Sequence, residues 1–181
     1  ENEKNGLEGD LNTGILYADM GDIEYFISGD MDAALKNYEY SVLNKNSTPT
    51  VNYRIGVINY NKQNYENALT FFIKALEKKD ADQNLLLAAG NTLALRGDNF
   101  AAQGYYNRLL SLLNEEKAHH ALLFPQAKED DAQLVEMILK TTNNLGVVLN
   151  KIARQTGNSQ MNGKSFECFV ESIRAWDALT R

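Results

Sequence analysis

The chain comprises 181 residues with 44% hydrophobic side chains, two prolines and a formal charge of −6. That is enough for a single domain with a substantial core, and an acid excess with no basic face to offset it argues against a nucleic-acid backbone as partner. The longest apolar run, Leu85 to Ala89, falls far short of the ~18 residues of a membrane span, and a single cysteine excludes an intrachain disulfide and argues against a cysteine-ligated zinc centre.

In chain order, residues 1–10 (ENEKNGLEGD) are polar and read as a linker or the frayed end of a preceding helix. No signal-peptide pattern opens the chain, and a first residue of Glu1 in place of methionine points to excision from something longer or to processing. A first helix is expected from about Leu11 to Ser28 and its partner from Met31 to Leu43. The segment KNSTP then makes a turn, with Pro49 well placed to open a helix. A second pair spans Val51 to Lys62 and Tyr65 to Lys78, and a third Asp82 to Leu95 and Asn99 to Leu113.

Within these pairs a period of 34 residues repeats the same small residue, at Ala34, Ala68 and Ala102, each just after a Gly-Asp or Gln-Asn pair and four residues before an aromatic, Tyr38, Phe72 and Tyr106. Gly56 and Gly90 each lie 12 positions upstream of the corresponding alanine. A helix glycine costs about 1 kcal/mol relative to alanine, so Gly56, Gly90 and Gly146 mark points where a paired helix approaches too closely for a side chain. The aromatics then fill the space one turn beyond the alanines. The first pair departs from the pattern, with Asp22 at the glycine position and Gly21 one residue early. Either its helices pack in a shifted register, or they face a further element; the second reading is slightly favoured.

After Leu113 the period breaks, because Gly90 to Gly146 is 56 residues, which leaves an insertion of 22. The insertion contains EEKAHHALLFPQAKEDD and leads into one long helix from about Glu129 to Arg154, ~39 Å at ~1.5 Å per residue, expected to project beyond the stack. Gly146 to Ser165 is 19 residues, and the seven extra are assigned to a loop, TGNSQMNGK. The last helix is expected from Ser165 to Leu179. Cys168, at helical spacing from Phe166 and Phe169, reads as a small buried apolar residue in preference to a reactive thiol. Trp176 and Leu179 near the end are expected to face a following helix or another copy.

The period, the glycines and the aromatics resemble the tetratricopeptide repeat (TPR) family. The resemblance implies an all-α fold, a right-handed α-solenoid of about four TPR-like helix-turn-helix repeats with an insertion before the last one. The repeats would be 11–46, 47–80 and 81–114, the insertion 115–128 and the last extended repeat 129–181, forming a single domain that is a fragment of a longer chain. It further implies a concave face lined by the first helix of each pair. The residues placed there are Leu16, Asp19, Ile23, Phe26 and Ile27 in the first repeat, Thr50, Tyr53, Val57, Tyr60 and Asn61 in the second, Asn84, Leu87, Asn91, Ala94 and Leu95 in the third, and Lys140, Asn143, Val147, Asn150 and Lys151 in the fourth.

Of these, Tyr53, Tyr60, Asn61, Asn91, Asn143, Asn150 and Lys151 are the candidate partner-binding residues. Asparagine amides both donate to and accept from a peptide backbone, and tyrosine is enriched at recognition surfaces. Ile23, Phe26 and Ile27 read instead as packing. In family members that grip chaperone C-terminal carboxylates, lysine and asparagine stand where this chain has Asp19 and Ile23, which disfavours such a clamp.

Chemistry is sparse. His119 and His120 follow Glu115 and Glu116, yet adjacent helical residues diverge by ~100° and the spacing is not that of a zinc protease, so a metal-dependent enzyme is the least favoured alternative. No phosphate loop or nucleophile elbow appears. The expectation is a non-catalytic protein-interaction scaffold with no cofactor and no metal site, binding protein or peptide, without membrane insertion, and with self-association possible through the repeat ends. The alternative is an adaptor for a short extended peptide, held in the groove or by the apolar Leu122, Leu123 and Phe124 of the insertion. A second resemblance, over Asn143 to Arg181 (NNLGVVLNKIARQTGNSQ, FVESIRAWDALTR), is to spirochaetal periplasmic flagellar collar proteins. It implies a structural role in a motor assembly and a periplasmic location; otherwise a cytoplasmic one is expected.

Overall fold

Among the described residues the turn inside each of four helix pairs is made by one residue, Gly29, Gln63, Gly97 or Gly157, with a left-handed backbone at φ of 71°, 60°, 91° and 68°, and Lys45, between the first two pairs, adopts it too at 67°. Glycine adopts that conformation at no steric cost, which is why three of the four turns use it. The following residue opens the next helix. Asp30, for example, accepts from the amide of Ala33 at 2.9 Å, satisfying one of the donors a helix start leaves unpaired.

The computed structural model describes residues 10–123 and 132–180, the side chains of 178–180 excepted. The expected polar lead at 1–9, the insertion residues 124–128 with Phe124, the expected helix start at Glu129 and the side chain of Leu179 lie outside the described residues. The helices are α1 (Leu11–Ile23), α2 (Met31–Leu43), α3 (Pro49–Asn61), α4 (Tyr65–Leu76), α5 (Gln83–Arg96), α6 (Asn99–Leu123), α7 (Ala132–Thr156) and α8 (Ser159–Thr180), with a π-helical turn at Glu24–Ser28 directly after α1. No strand occurs among the described residues. The fold is an all-α helical repeat built from antiparallel pairs.

The chain divides into two compact units, Glu1–Asp80 and Ala81–Arg181. In the first, α1 pairs with α2, α3 with α4, and α2 packs on α3; in the second, α5 pairs with α6, α7 with α8, and α6 packs on α7.

Each pair crosses at a glycine, and the aromatic of the second helix lies directly over it. A Cβ at Gly21 would fall 2.6 Å from the Tyr38 ring, at Gly56 2.5 Å from Phe72, at Gly90 2.7 Å from Tyr106 and at Gly146 2.9 Å from Phe169. Ala34, Ala68 and Ala102 are completely buried beside these contacts. The first pair is therefore built like the others, with Gly21 in the glycine role. From Gly21 to the turn at Gly29 is one residue more than from Gly56 to Gln63 or from Gly90 to Gly97. The π-helical turn between them absorbs it, since its wider i→i+5 winding accommodates one residue beyond the α-helical count. A shifted register thus accounts for the deviation, and no further element is needed to explain it.

The residue after each crossing glycine matches the aromatic above it. Where that aromatic carries a hydroxyl, the residue is a polar acceptor: Tyr38 Oη donates to Asp22 Oδ1 and Tyr106 Oη to Asn91 Oδ1, both at 2.8 Å. Where it is phenylalanine, at Phe72 and Phe169, the equivalent residues are Val57 and Val147. Burying a hydroxyl costs free energy unless it is hydrogen-bonded, so the two positions are chosen together.

Three expectations about the C-terminal half change. The seven extra residues of the last pair form no loop. The turn is at Gly157 and Asn158, so four of the seven lengthen α7 and three lengthen α8, about one helical turn each at 3.6 residues per turn. Adding a turn to both helices keeps their faces matched, which a single-sided insertion would not do. The insertion before α7 is likewise helical at its start, since α6 does not stop near Leu113 but continues through His119 and His120 to Leu123. Nor is the early part of α7 a lone projection: Leu134 and Val135 are buried, and α7 packs against both α6 and α8.

Candidate protein-interaction surface

In the first unit, the spacing of Leu16, Met20, Ile23 and Ile27 puts them on one stripe of α1 and its π-helical extension. No described segment covers it. Leu16 is 59% exposed, Ile23 51%, Phe26 65% and Ile27 79%. Among the described residues nothing packs over Ile23 and Ile27 as expected, while Phe26 meets the Tyr25 ring edge-on at 4.8 Å and keeps most of its surface exposed. Scattered surface leucines need no explanation, but an apolar row of this kind marks an interaction surface.

Polar groups border the stripe. Asp22, which accepts from Tyr38, also forms an ion pair with Arg54 of α3. The Arg54 guanidinium lies 5.0 Å from the Phe26 ring centroid and 5.8 Å from that of Tyr38, a cation over two π faces. Burial lowers the Arg54 pKa from its ordinary value and raises that of Tyr38 well above it, Tyr25 adding to the latter effect. On α3 the candidates Tyr53 and Tyr60 are half-buried and Asn61 is exposed. The Tyr53 ring lies 5.9 Å from Phe72, and Tyr60 meets Tyr65 edge-on at 5.8 Å. Burial, and then Tyr65, raises the pKa of Tyr60, so its hydroxyl stays a neutral donor at neutral pH. Each tyrosine presents part of its ring, not all of it.

In the second unit, Asn143 and Lys151 are exposed and Asn150 is half-buried on α7. Asn91 is different. Its carbonyl oxygen accepts from Tyr106 Oη and, at 2.9 Å, from the amide of Asn144, which ties α5, α6 and α7 together. The acceptor half of this amide thus serves the fold. Lys140, also expected on this face, pairs with Glu136 at 2.5 Å one turn earlier.

Among the described residues no three His, Cys, Asp or Glu side chains gather into a group able to hold a metal, and no helix is long and apolar enough to cross a membrane. The Cys168 thiol is pushed up in pKa, first by burial and then by Glu171 and Glu167, which keeps it protonated and poorly nucleophilic. Trp176 is 58% exposed.

No family model matches the sequence, and no curated protein matches it. Solved structures do match in fold. MamA superposes with a TM-score of 0.68 at 12% identity, covering 94% of this chain and 82% of that one. The first TPR of Spaghetti (RPAP3), bound to an HSP90 peptide, gives 0.58 at 16% identity, covering 82% of this chain and 99% of its own. YrrB, described as a TPR protein with an unusual peptide-binding site, gives 0.50 at 18% identity over 93% and 92% of the two chains. Identities this low establish a shared helical-repeat fold of the TPR kind.

Proposed function

We propose that this chain is a non-catalytic protein-interaction module of the TPR type, whose partner, a protein or a peptide, is held on the faces of the first helices of its pairs. The observation that carries the reading is the uncovered apolar stripe of α1, Leu16, Met20, Ile23 and Ile27, beside the Arg54 and Asp22 pair. Apolar area supplies the driving force for association, while fixed polar neighbours set orientation. Within the first unit Tyr53, Tyr60 and Asn61 extend this surface on α3; the second unit offers contacts of its own, Asn143, Asn150 and Lys151 on α7 and the amide donor of Asn91 on α5. Two structural neighbours described as peptide complexes or peptide-binding proteins support the choice of partner class. The collar reading of Asn143 to Arg181 gains no support from these comparisons, and self-association through the exposed Trp176 face is the subordinate form of the same function.

The test is affinity capture from the native cell with mass spectrometry, comparing the parent chain with Ile23→Ser/Ile27→Ser, Tyr60→Ala and a deletion of residues 117–126. Because both isoleucines are exposed, the double variant is expected to fold, checked by circular dichroism, and to lose the partner. Capture that survives in both substituted chains and disappears only in the deletion would move the interaction to the inserted segment.

A further inference from the structure

The α1 stripe has counterparts in two later first helices. Counted from the crossing glycine of each pair, Leu16, Met20 and Ile23 of α1 correspond to Val51, Ile55 and Ile58 of α3 and to Thr141, Leu145 and Val148 of α7. In both later helices all three are buried, none more than 6% exposed, and each of those helices receives the second helix of the preceding pair, α2 packing on α3 and α6 on α7. In the first unit the contact is explicit: Ala34 and Tyr38 of α2 share one buried cluster with Val51, Ile55 and Ile58, and Leu35 and Val42 of α2 pack against it. The stripe on α1 is thus the face by which a first helix receives a preceding second helix, with no described segment on it. Helix α8 presents the other half of such a contact. Counted from the aromatic that covers the glycine, Tyr38 in α2 and Phe169 in α8, the residues Leu35 and Val42 correspond to Phe166 and Ile173. Leu35 and Val42 are half-buried, whereas Phe166 is 69% and Ile173 61% exposed. Seven residues is about two helical turns, so Phe166 and Ile173 share one face of α8, with the half-buried Val170 between them.

From this correspondence we infer that the α1 stripe of one copy of the chain is covered by α8 of a second copy, docked as α2 docks on α3. The Asp32 and Lys62 ion pair joins the start of α2 to the end of α3, so those two helices run antiparallel. The same docking brings Phe166 toward Ile23 and Ile173 toward Leu16. A peptide laid on the α1 stripe leaves the apolar face of α8 in water, whereas a second copy removes both faces from water in one contact. The two surfaces are different, so the contact is heterologous: each copy uses one face and still offers the other. The inference rests on the reading of the α1 stripe as a protein-binding surface and names its partner as the chain itself.

The experiment is sedimentation equilibrium of the chain over an about hundredfold range of concentration, with two variants, Leu16→Glu/Ile23→Glu and Phe166→Glu/Ile173→Glu. All four residues are exposed, so both variants should fold, checked by circular dichroism. The expected result is a mean mass that rises with concentration for the parent chain, the monomer mass of 20.3 kDa for each variant alone, and a one-to-one pair when the two variants are mixed, because one keeps its α8 face and the other its α1 face. A parent chain that stays monomeric throughout overturns the inference without recourse to any variant. Association that survives in either variant alone, or a mixture that forms no pair, overturns it too, since the contact then joins other faces. A monomeric parent whose captured partner is lost in Ile23→Ser/Ile27→Ser overturns the second copy and leaves the α1 surface as the site of a different protein; a monomeric parent with capture intact in that variant removes both readings.

Discussion

Gly90→Ala adds one methyl group in the middle of α5, where helix propensity alone would favour alanine by about 1 kcal/mol. The structure reverses the sign. The new Cβ would lie 2.7 Å from Cε1 of Tyr106, 3.0 Å from Cδ1 and 3.2 Å from Cζ, far inside van der Waals contact. The ring has little room to retreat: Tyr106 is buried and its hydroxyl is anchored on Asn91, the residue next to the substitution. Overpacking of a well-filled contact costs about 1–3 kcal/mol, so the net effect is a loss of about 1 kcal/mol and a fall of a few degrees in Tm. Gly104, in α6, has nothing within 4 Å of its Cβ position, and Gly104→Ala should raise stability by about 0.5–1 kcal/mol. Urea denaturation followed by circular dichroism at 222 nm gives both values, with an unchanged slope as the check that only stability moved. In a Tyr106→Leu background the obstacle is removed, and Gly90→Ala should become neutral or stabilising, a coupling of about 1–2 kcal/mol. If Gly90→Ala and Gly104→Ala stabilise equally, the close-crossing explanation of the repeat glycines is wrong.

Gln63 occupies the left-handed turn position that glycine fills in the other three turns, so Gln63→Gly should stabilise the chain by about 0.5 kcal/mol, the relieved strain being partly offset by the freer unfolded chain; a lower Tm would contradict this. Asp22→Ala and Tyr38→Phe each remove one end of the same hydrogen bond and should couple by about 1 kcal/mol in a double-mutant cycle, whereas two independent losses would show that the bond contributes nothing. Burial raises the folded-state pKa of Tyr38 above its unfolded value of ~10. Its contribution is therefore complete below pH ~10 and is lost as the pH rises above that, so spectrophotometric titration at 295 nm should show a late-ionising tyrosine that Tyr38→Phe removes.

Much of the architecture was legible in the order of residues. A helix crossing too close for a Cβ requires glycine, a buried neighbour requires a small residue, and the aromatic that covers the glycine must sit one turn further on, so Gly56, Ala68 and Phe72 or Gly90, Ala102 and Tyr106 declare a helix pair wherever they recur at one spacing. The turn chemistry of Gly29 and Gly97 is local for the same reason, whereas Gly157 read as part of a longer loop. Where residues were added, spacing alone did not say which structure received them. One extra residue between Gly21 and Gly29 becomes a π-helical turn, and seven between Gly146 and Ser165 become a turn on each helix, because the unbroken packing of both partners outweighs the cost of forming a longer loop. Asn91 shows the same limit at the level of a side chain. Its type and place on the first-helix face suit it to a partner, but only the three-dimensional arrangement brings Tyr106 and Asn144 to its carbonyl. The exposure of Ile23, Phe26 and Ile27 was equally undecidable from sequence, because an apolar helix face reads the same whether another element covers it or not, and burial is a property of what lies opposite.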